Sequence, residues 1–328
     1  MVNAGKGDTI TFAGSNQSVL LNLGSGDTIM TTGTNDTITF GGAAASKNSM
    51  TIGATADGTT INGGLGTDTF TAGANYDGGY AYIGSSHGYN DGFNAVGSCI
   101  NYSGLANCRV TVNFDSNVGQ GFDANGNLLW TDTFNNVQQV KATKLDGNDL
   151  TGSNSYYTEL KGGLGSATYH GGAGSDRIIW GAAGATGLNH GQATDVAYGG
   201  AGNDEFYWRN SPGGKGLSNF GEAVYGFNIG QADDLNLSEF ATAGFAGVTK
   251  AFGGAADLVN WVNVSLNGND TEVWFDRTGS GTFSQRAAVL KNDNLFTDFG
   301  ITDQSSAGAQ QVVLDMYNTG HLVLTQPH

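Results

Sequence analysis

Proline is almost missing from this chain: 2 residues in 328, beside 55 glycines. That ratio excludes collagen and proline-rich linkers, and it asks for a structure with many backbone turns of positive φ. Basic residues are scarce too. Thirteen Lys and Arg face 29 Asp and Glu, a net charge of −16, which argues against nucleic acid as a partner because phosphate binding needs clustered cations. Within the acidic set glutamate is rare, 5 against 24 aspartates. A merely solvated acidic surface would use Glu freely, whereas short Asp side chains suit tight turns and hard cations such as calcium. No apolar run is long enough to make a transmembrane segment, and "MVNAGKGDTITF" is no secretory signal. Cysteine occurs twice, at Cys99 and Cys108. A small disulfide between them would fit an extracellular protein, and a pair of buried thiols is the other reading.

What the chain has in abundance is repetition. The apolar residue two places after each turn aspartate forms a series, Ile10, Val19, Ile29, Ile38, Ile52, Ile61 and Phe70, and then Thr151, Leu160, Tyr169, Ile178, Ala197 and Phe206, mostly at intervals of nine. Nine residues hold a tight turn and a strand of about three residues, too short to stand alone. Two such units close one circuit of about eighteen residues, stable only as a stack. The expected fold class is all-β: a parallel β-roll or β-solenoid of nonapeptide repeats in two blocks, with a β-rich C-terminal cap. The expected divisions are 1–75 for the first block, 76–145 for a strand-rich excursion packed beside it, 146–216 for the second block and 217–328 for the cap.

The best units follow G-G-x-G-x-D-x-U-x, with U a large apolar residue: Gly63 to Thr71, Gly171 to Ile179 and Gly199 to Tyr207. Glycines let the turn take positive φ and aim carbonyl oxygens at one point, while the aspartate closes the cage and supplies charge. The expected Ca2+ ligands, several ions in all, are Gly63, Gly64, Gly66 and Asp68; Asp149; Gly162, Gly163 and Gly165; Gly171, Gly172, Gly174 and Asp176; Asp195; and Gly199, Gly200, Gly202 and Asp204. Asp8, Asp27 and Asp36 are weaker candidates, because their turns lack the glycine pattern. Asp176 and Asp195, nineteen residues apart, are expected on one side of the stack and Asp204 on the other. In one turn Ala167 replaces the aspartate, and His190 and Ala193 replace glycines before Asp195. Metal-free glycine corners are the bland reading of the same pattern.

This nonapeptide resembles the calcium-binding repeat of the RTX, or hemolysin-type, family. Two further stretches, "INYSGLANCRVTVNF" and "TDTFNNVQQVKATKLDGNDLTG", resemble a segment that introduces RTX repeats. After about residue 217 the text resembles the C-terminal region of type I secretion substrates, in Gly230 to Phe240, Val262 to Phe283 and Asn318 to Leu324. The resemblance implies a calcium-dependently folding module of a larger secreted bacterial protein, of adhesin or surface-layer type. Its partners would be the type I secretion apparatus, an extracellular or cell-surface polysaccharide, and other copies of itself. Within "FDRTGSGTF" it makes Asp276 the remnant of a worn acidic calcium loop.

Catalytic patterns are weak. "GSSHG" around Ser86 formally matches a nucleophile elbow but lacks the strand-to-helix context. The five histidines form no H-E-x-x-H pair. A non-enzymatic role is therefore expected. One alternative is part of a polysaccharide-acting enzyme of epimerase or lyase type, with Tyr76, Tyr80, Tyr82 and Tyr89 stacking on sugars. The other is an ice-binding face formed by Thr9, Thr11, Thr28, Thr37, Thr39, Thr51, Thr60, Thr69 and Thr71.

Overall fold

A computed structural model describes residues 2–3, 8–22, 27–31, 34–41, 47–52, 59–63, 67–72, 81–83, 98–105, 107–163, 165–180, 195–208, 222–242, 251–276 and 278–325. It divides into two units, Met1–Ser153 with Tyr157–Gly165, and Asn154–Tyr156 with Ser166–His328.

In the first unit the chain alternates between two sheets. One holds Val2–Asn3, Ser18–Asn22, Thr37–Gly41, Thr60–Asn62 and Ala81–Ile83 in parallel, followed by Leu128–Asn135, Val118–Phe122, Arg109–Asn113 and Asn148–Thr151. The other runs parallel through Thr9–Phe12, Asp27–Thr31, Lys47–Ile52, Thr67–Ala72, Ser98–Asn101, Val137–Lys141 and Thr158–Lys161. Strand composition explains the alternation. In Arg109–Asn113 the β-branched Val110 and Val112 are buried while Arg109, Thr111 and Asn113 are half-exposed, the period of two that one covered face demands. Inward residues stack between neighbouring strands: Ile38 and Ile61 on one sheet, and Phe70, Ile100, Val140 and Leu160 on the other, all at most 1 % exposed.

The second unit repeats the alternation. Ala167–Gly172, Val196–Gly200, Glu222–Tyr225 and Gln285–Lys291 pair in parallel, and Asp270–Phe275 and Val262–Asn267 extend that sheet antiparallel. Asp176–Ile179, Glu205–Tyr207, Asp234–Asn236 and Leu322–Val323 form the other sheet, also parallel. Tyr169, Ala197 and Val224 are buried between the first three strands of the former, and Ile178, Phe206 and Leu235 between those of the latter.

Three expectations need correction. The fold is not an all-β solenoid but of mixed α/β character. Antiparallel hairpins interrupt the parallel sheets, and the C-terminal region carries the helix Ser306–Thr319, with short helices at Ser238–Ala241, Leu258–Trp261 and Leu295–Asp298. The long helix has its own local cause. Ser305 caps Ala307 N–H at 3.2 Å, Gly320 closes the end at φ 88°, and Ala309, Val312, Val313 and Met316 bury one face at helical spacing. The segment 76–145 is not packed beside the first block either: Ala81–Ile83 and Ser98–Asn101 pair directly with strands of that block. Finally, the Asn148–Thr151 strand is shifted by one from the nonapeptide count. Leu150, not Thr151, is its buried inward residue.

Candidate functional site

Residue 176 shows how the turns are built. The Asp176 N–H donates to Asp204 Oδ1 at 2.9 Å, and the Asp204 N–H donates in turn to Asp233 Oδ1 at 2.9 Å. The three aspartates occupy equivalent positions on adjacent parallel strands, as the pairings Arg177 with Glu205 and Glu205 with Asp234 require. Asp176 therefore shares a column with Asp204, and Asp195 lies in the other sheet, where its Oδ1 accepts from Ala167 N–H at 2.7 Å. Nineteen residues were expected to make one circuit. They contain residues 181–194, outside the described set, so the interval from Asp176 to Asp195 takes the chain only from one sheet to the other.

The same bond recurs in the first unit. Asp36 Oδ1 accepts from Gln17 N–H at 2.8 Å, Asn148 Oδ1 from Val110 N–H at 3.0 Å, and Ser98 Oγ from Asp68 N–H at 3.4 Å. Each time a short polar side chain at the end of a turn satisfies the backbone of the equivalent residue one circuit earlier. Such a bond contributes about 0.5–1.5 kcal/mol with a neutral acceptor such as Asn148 or Ser98, and about 1.5–3 kcal/mol where the acceptor is an ionised carboxylate. Asn148, not Asp149, fills the role in its turn; Asp149 is half-exposed as a residue, with its Oδ1 buried.

The glycines answer to the same carboxylates. A Cβ on Gly199 would stand 2.7 Å from Asp204 Oδ2, one on Gly171 3.0 Å from Asp176 Oδ2, and one on Gly63 would collide with Asp68 Oδ2. The first glycine of each complete unit thus leaves room for the aspartate five residues later. Gly172 and Gly200 take φ of 111° and 102° and stack in register, the Gly172 carbonyl accepting from Ala201 N–H at 2.9 Å. Gly202, at φ 110°, lies over the Gly174 carbonyl. Gly163 and Gly165 sit against the backbones of Thr143 and Leu145, and Gly162 is buried beside them. Gly64 and Gly66 lie outside the described residues. So does the side chain of Asp27, whereas Asp8 is exposed.

Electrostatically the column is carboxylate on carboxylate. Asp176, Asp204 and Asp233 are all fully buried. Burial, then Asp233 and Asp176, push Asp204 up to about 8, and burial pushes Asp233 up to about 6. Beside them Asp234 rises to about 9, through burial and the neighbouring Glu205. Asp204 Oδ2 has no hydrogen-bond partner, nor does Asp36 Oδ2 in the first unit. Among the described residues no three His, Cys, Asp or Glu side chains converge as a metal-binding group. A cation at the column would therefore take its carboxylates from Asp176 and Asp204 and the rest of its shell from turn carbonyls. The donor chemistry, oxygen throughout, suits calcium.

Asp276 proves to be a different device. Its carboxylate accepts from the N–H groups of Thr278, Ser280 and Thr282 at 2.8, 2.9 and 2.9 Å and from the Thr278 and Ser280 hydroxyls at 2.7 and 2.8 Å. Those bonds outweigh its burial and hold the carboxyl down at about 2. No lone pair is left aimed at an ion, and the loop is a self-satisfied turn. Asp276→Ala is expected to cost about 2–4 kcal/mol in urea denaturation, because it strands several donors in one step. Since the folded pKa is depressed, the Asp276 contribution is present at neutral pH and lost only as pH falls toward 2.

The cysteines are not joined. Cys99 lies half-buried on the Ser98–Asn101 strand of one sheet, and Cys108 is buried just before the Arg109–Asn113 strand of the other. Burial pushes both thiols up to about 11, so little thiolate exists to start exchange.

Sequence reasoning missed Asp233, Asn148 and Ser98. Asp233 was legible as the first aspartate of "ADDLNL", two places before the buried Leu235. Ser86, His87, His190 and Tyr76, Tyr80 and Tyr89 lie outside the described residues, as does the side chain of Tyr82. No helix among the described residues is long and apolar enough to cross a membrane. Comparison with protein-family models finds no match, and comparison with curated proteins finds none.

Proposed function

We propose that this chain is a calcium-binding, calcium-dependently folding module of a larger secreted protein of adhesin or surface-layer type. It would be exported unfolded through a type I apparatus and completed outside the cell. The observation that carries the reading is the buried column Asp176–Asp204–Asp233 in register beneath glycine turns. Like charges stacked out of water oppose folding unless they hold protons or a cation. Where calcium is scarce the column disfavours the folded state. Where calcium is abundant, an ion held by Asp176, Asp204 and the neighbouring turn carbonyls turns its binding energy into folding energy.

The test is calcium titration of EDTA-stripped protein at pH 8, followed by far-UV circular dichroism. A cooperative gain of sheet signal is expected, shifted to higher calcium in Asp204→Ala. A signal indifferent to calcium would sink the reading and leave the turns as metal-free corners.

One observation favours a second reading, a face that binds ice. Thr9, Thr28, Thr51 and Thr71 hold one register row across four adjacent parallel strands. Threonine is also a favoured strand residue, so the discriminating measurement is thermal hysteresis, whose absence removes this alternative.

A further inference from the structure

Outside the carboxylate column, the outer face of the second unit carries a row of stacked rings. His170, Tyr198 and Tyr225 are register partners on three adjacent parallel strands. The rings of His170 and Tyr198 stack at 4.9 Å and 6°, and those of Tyr198 and Tyr225 at 4.8 Å and 15°. The ring separation matches the spacing of hydrogen-bonded strands, about 4.8 Å, so the ladder is set by the sheet rather than by side-chain adjustment. Tyr198 is 40 % exposed, the only tyrosine among the described large apolar side chains to be so open. On one flank Gly172 and Gly200, two residues beyond His170 and Tyr198 and in register with each other, have no side chains to shield the rings.

Two phenols held face to face, one open to solvent, are poised for oxidative coupling. We propose that Tyr198 and Tyr225 form a dityrosine site, a covalent cross-link between neighbouring circuits made by a peroxidase-activated peroxide. Each phenol gives up one electron and one proton, forming two tyrosyl radicals. The radicals join through one ortho carbon of each ring, and the two displaced ortho hydrogens move as protons to the oxygens, restoring both phenols. The peroxide takes the two electrons and two protons and leaves as two molecules of water. Register pairing supplies the proximity that makes coupling within the molecule faster than coupling between molecules. The bond closes the chain from Tyr198 to Tyr225 into a ring, and so restrains the unfolded state in the manner of a disulfide.

The experiment exposes the full chain, folded in calcium, to dilute hydrogen peroxide and a peroxidase. Dityrosine fluorescence and peptide mass spectrometry are then read. The expected result is one cross-linked peptide joining Tyr198 to Tyr225, lighter by two hydrogens, in monomeric protein. Tyr198→Phe and Tyr225→Phe keep the ring and the stack, so each is expected to fold, as circular dichroism will verify, and to drop the fluorescence to background. Tyr317→Phe, remote in sequence on the C-terminal helix, is expected to leave the yield unchanged. The cross-linked protein should melt about 5–10 °C higher. Cross-links confined to other tyrosines, coupling only between molecules, or undiminished yield in either ladder variant would overturn the proposal.

Discussion

Gly200→Ala is expected to destabilise the second unit by about 3–5 kcal/mol. Two costs coincide there. The residue holds φ at 102°, where an L side chain is strained, and its Cβ would collide with the Gly172 carbonyl one circuit away. Neither neighbour can yield, since the Gly172 carbonyl is fixed by Ala201 N–H and both residues belong to paired strands. Gly254→Ala separates the terms. Gly254 has φ of 103° but nothing within 4 Å of its Cβ position, so only the backbone strain of about 1–2 kcal/mol remains. Denaturant midpoints of the two variants measure the difference. Equal losses would mean that the turns are not in close contact.

The second large effect is a pH dependence that runs opposite to ordinary acid denaturation. In EDTA the folded state holds the Asp204 proton up to about pH 8, whereas an ordinary aspartate titrates at 3.8. Its stabilising effect is therefore complete below about pH 4 and is lost as pH rises through about 8. Asp233, raised to about 6, adds to the loss over the lower part of the same window. Thermal melts in EDTA should fall by a few kcal/mol of stability between pH 5 and pH 9, both taken as approximate ends of the titration. Millimolar calcium should flatten the curve, because the ion replaces the protons; at a hundredfold excess over its Kd it contributes about 2.7 kcal/mol. Asp204→Asn keeps the acceptor oxygen for Asp176 N–H and removes the charge. It should lessen the slope of the EDTA curve, the remainder being carried by the other raised carboxyls Asp233, Asp234 and Asp293, and blunt the response to calcium. A pH profile in EDTA that rises from 5 to 9 would contradict this account of the column.

The sequence announces the inward residues well. Ile38, Ile61, Phe70, Tyr169, Ile178, Ala197 and Phe206 are all buried, because an apolar residue two places after a turn has only one covered face to occupy. It is a poorer guide to register. Asp149 carries the motif's letter, but in "DGNDLTG" an asparagine and an aspartate stand side by side, and burial of Leu150 gives the role to Asn148. The pairing of Asp176 with Asp204 escaped a count of nine because residues 181–194 interrupt the period. The C-terminal helix was legible in principle: Ser305, the spacing of Ala309, Val312, Val313 and Met316, and Gly320 are ordinary start, face and stop signals. A search for terminal strands reads past them. Asp276 illustrates the opposite failure, since an acidic residue among Thr, Gly and Ser looks the same in sequence whether it faces an ion or its own backbone.

The bonds accepted by the buried or half-buried turn-end side chains have a direction, unlike those of the exposed Ser15 and Ser175 hydroxyls, which accept from the later Thr34 and Asn203 N–H groups. In each of five the N–H belongs to the earlier residue and the accepting oxygen to the later one: Gln17 to Asp36, Val110 to Asn148, Ala167 to Asp195, Asp176 to Asp204, Asp204 to Asp233. A turn is thus finished by chain that is synthesised after it. Trimming from the amino-terminal side takes donors away and leaves the remaining turns with their acceptors. Trimming from the carboxyl-terminal side leaves a buried donor stranded at each new end. Asp233, at the threshold of the C-terminal region, is the last acceptor of the series, so a chain cut before it leaves the Asp204 N–H without its partner.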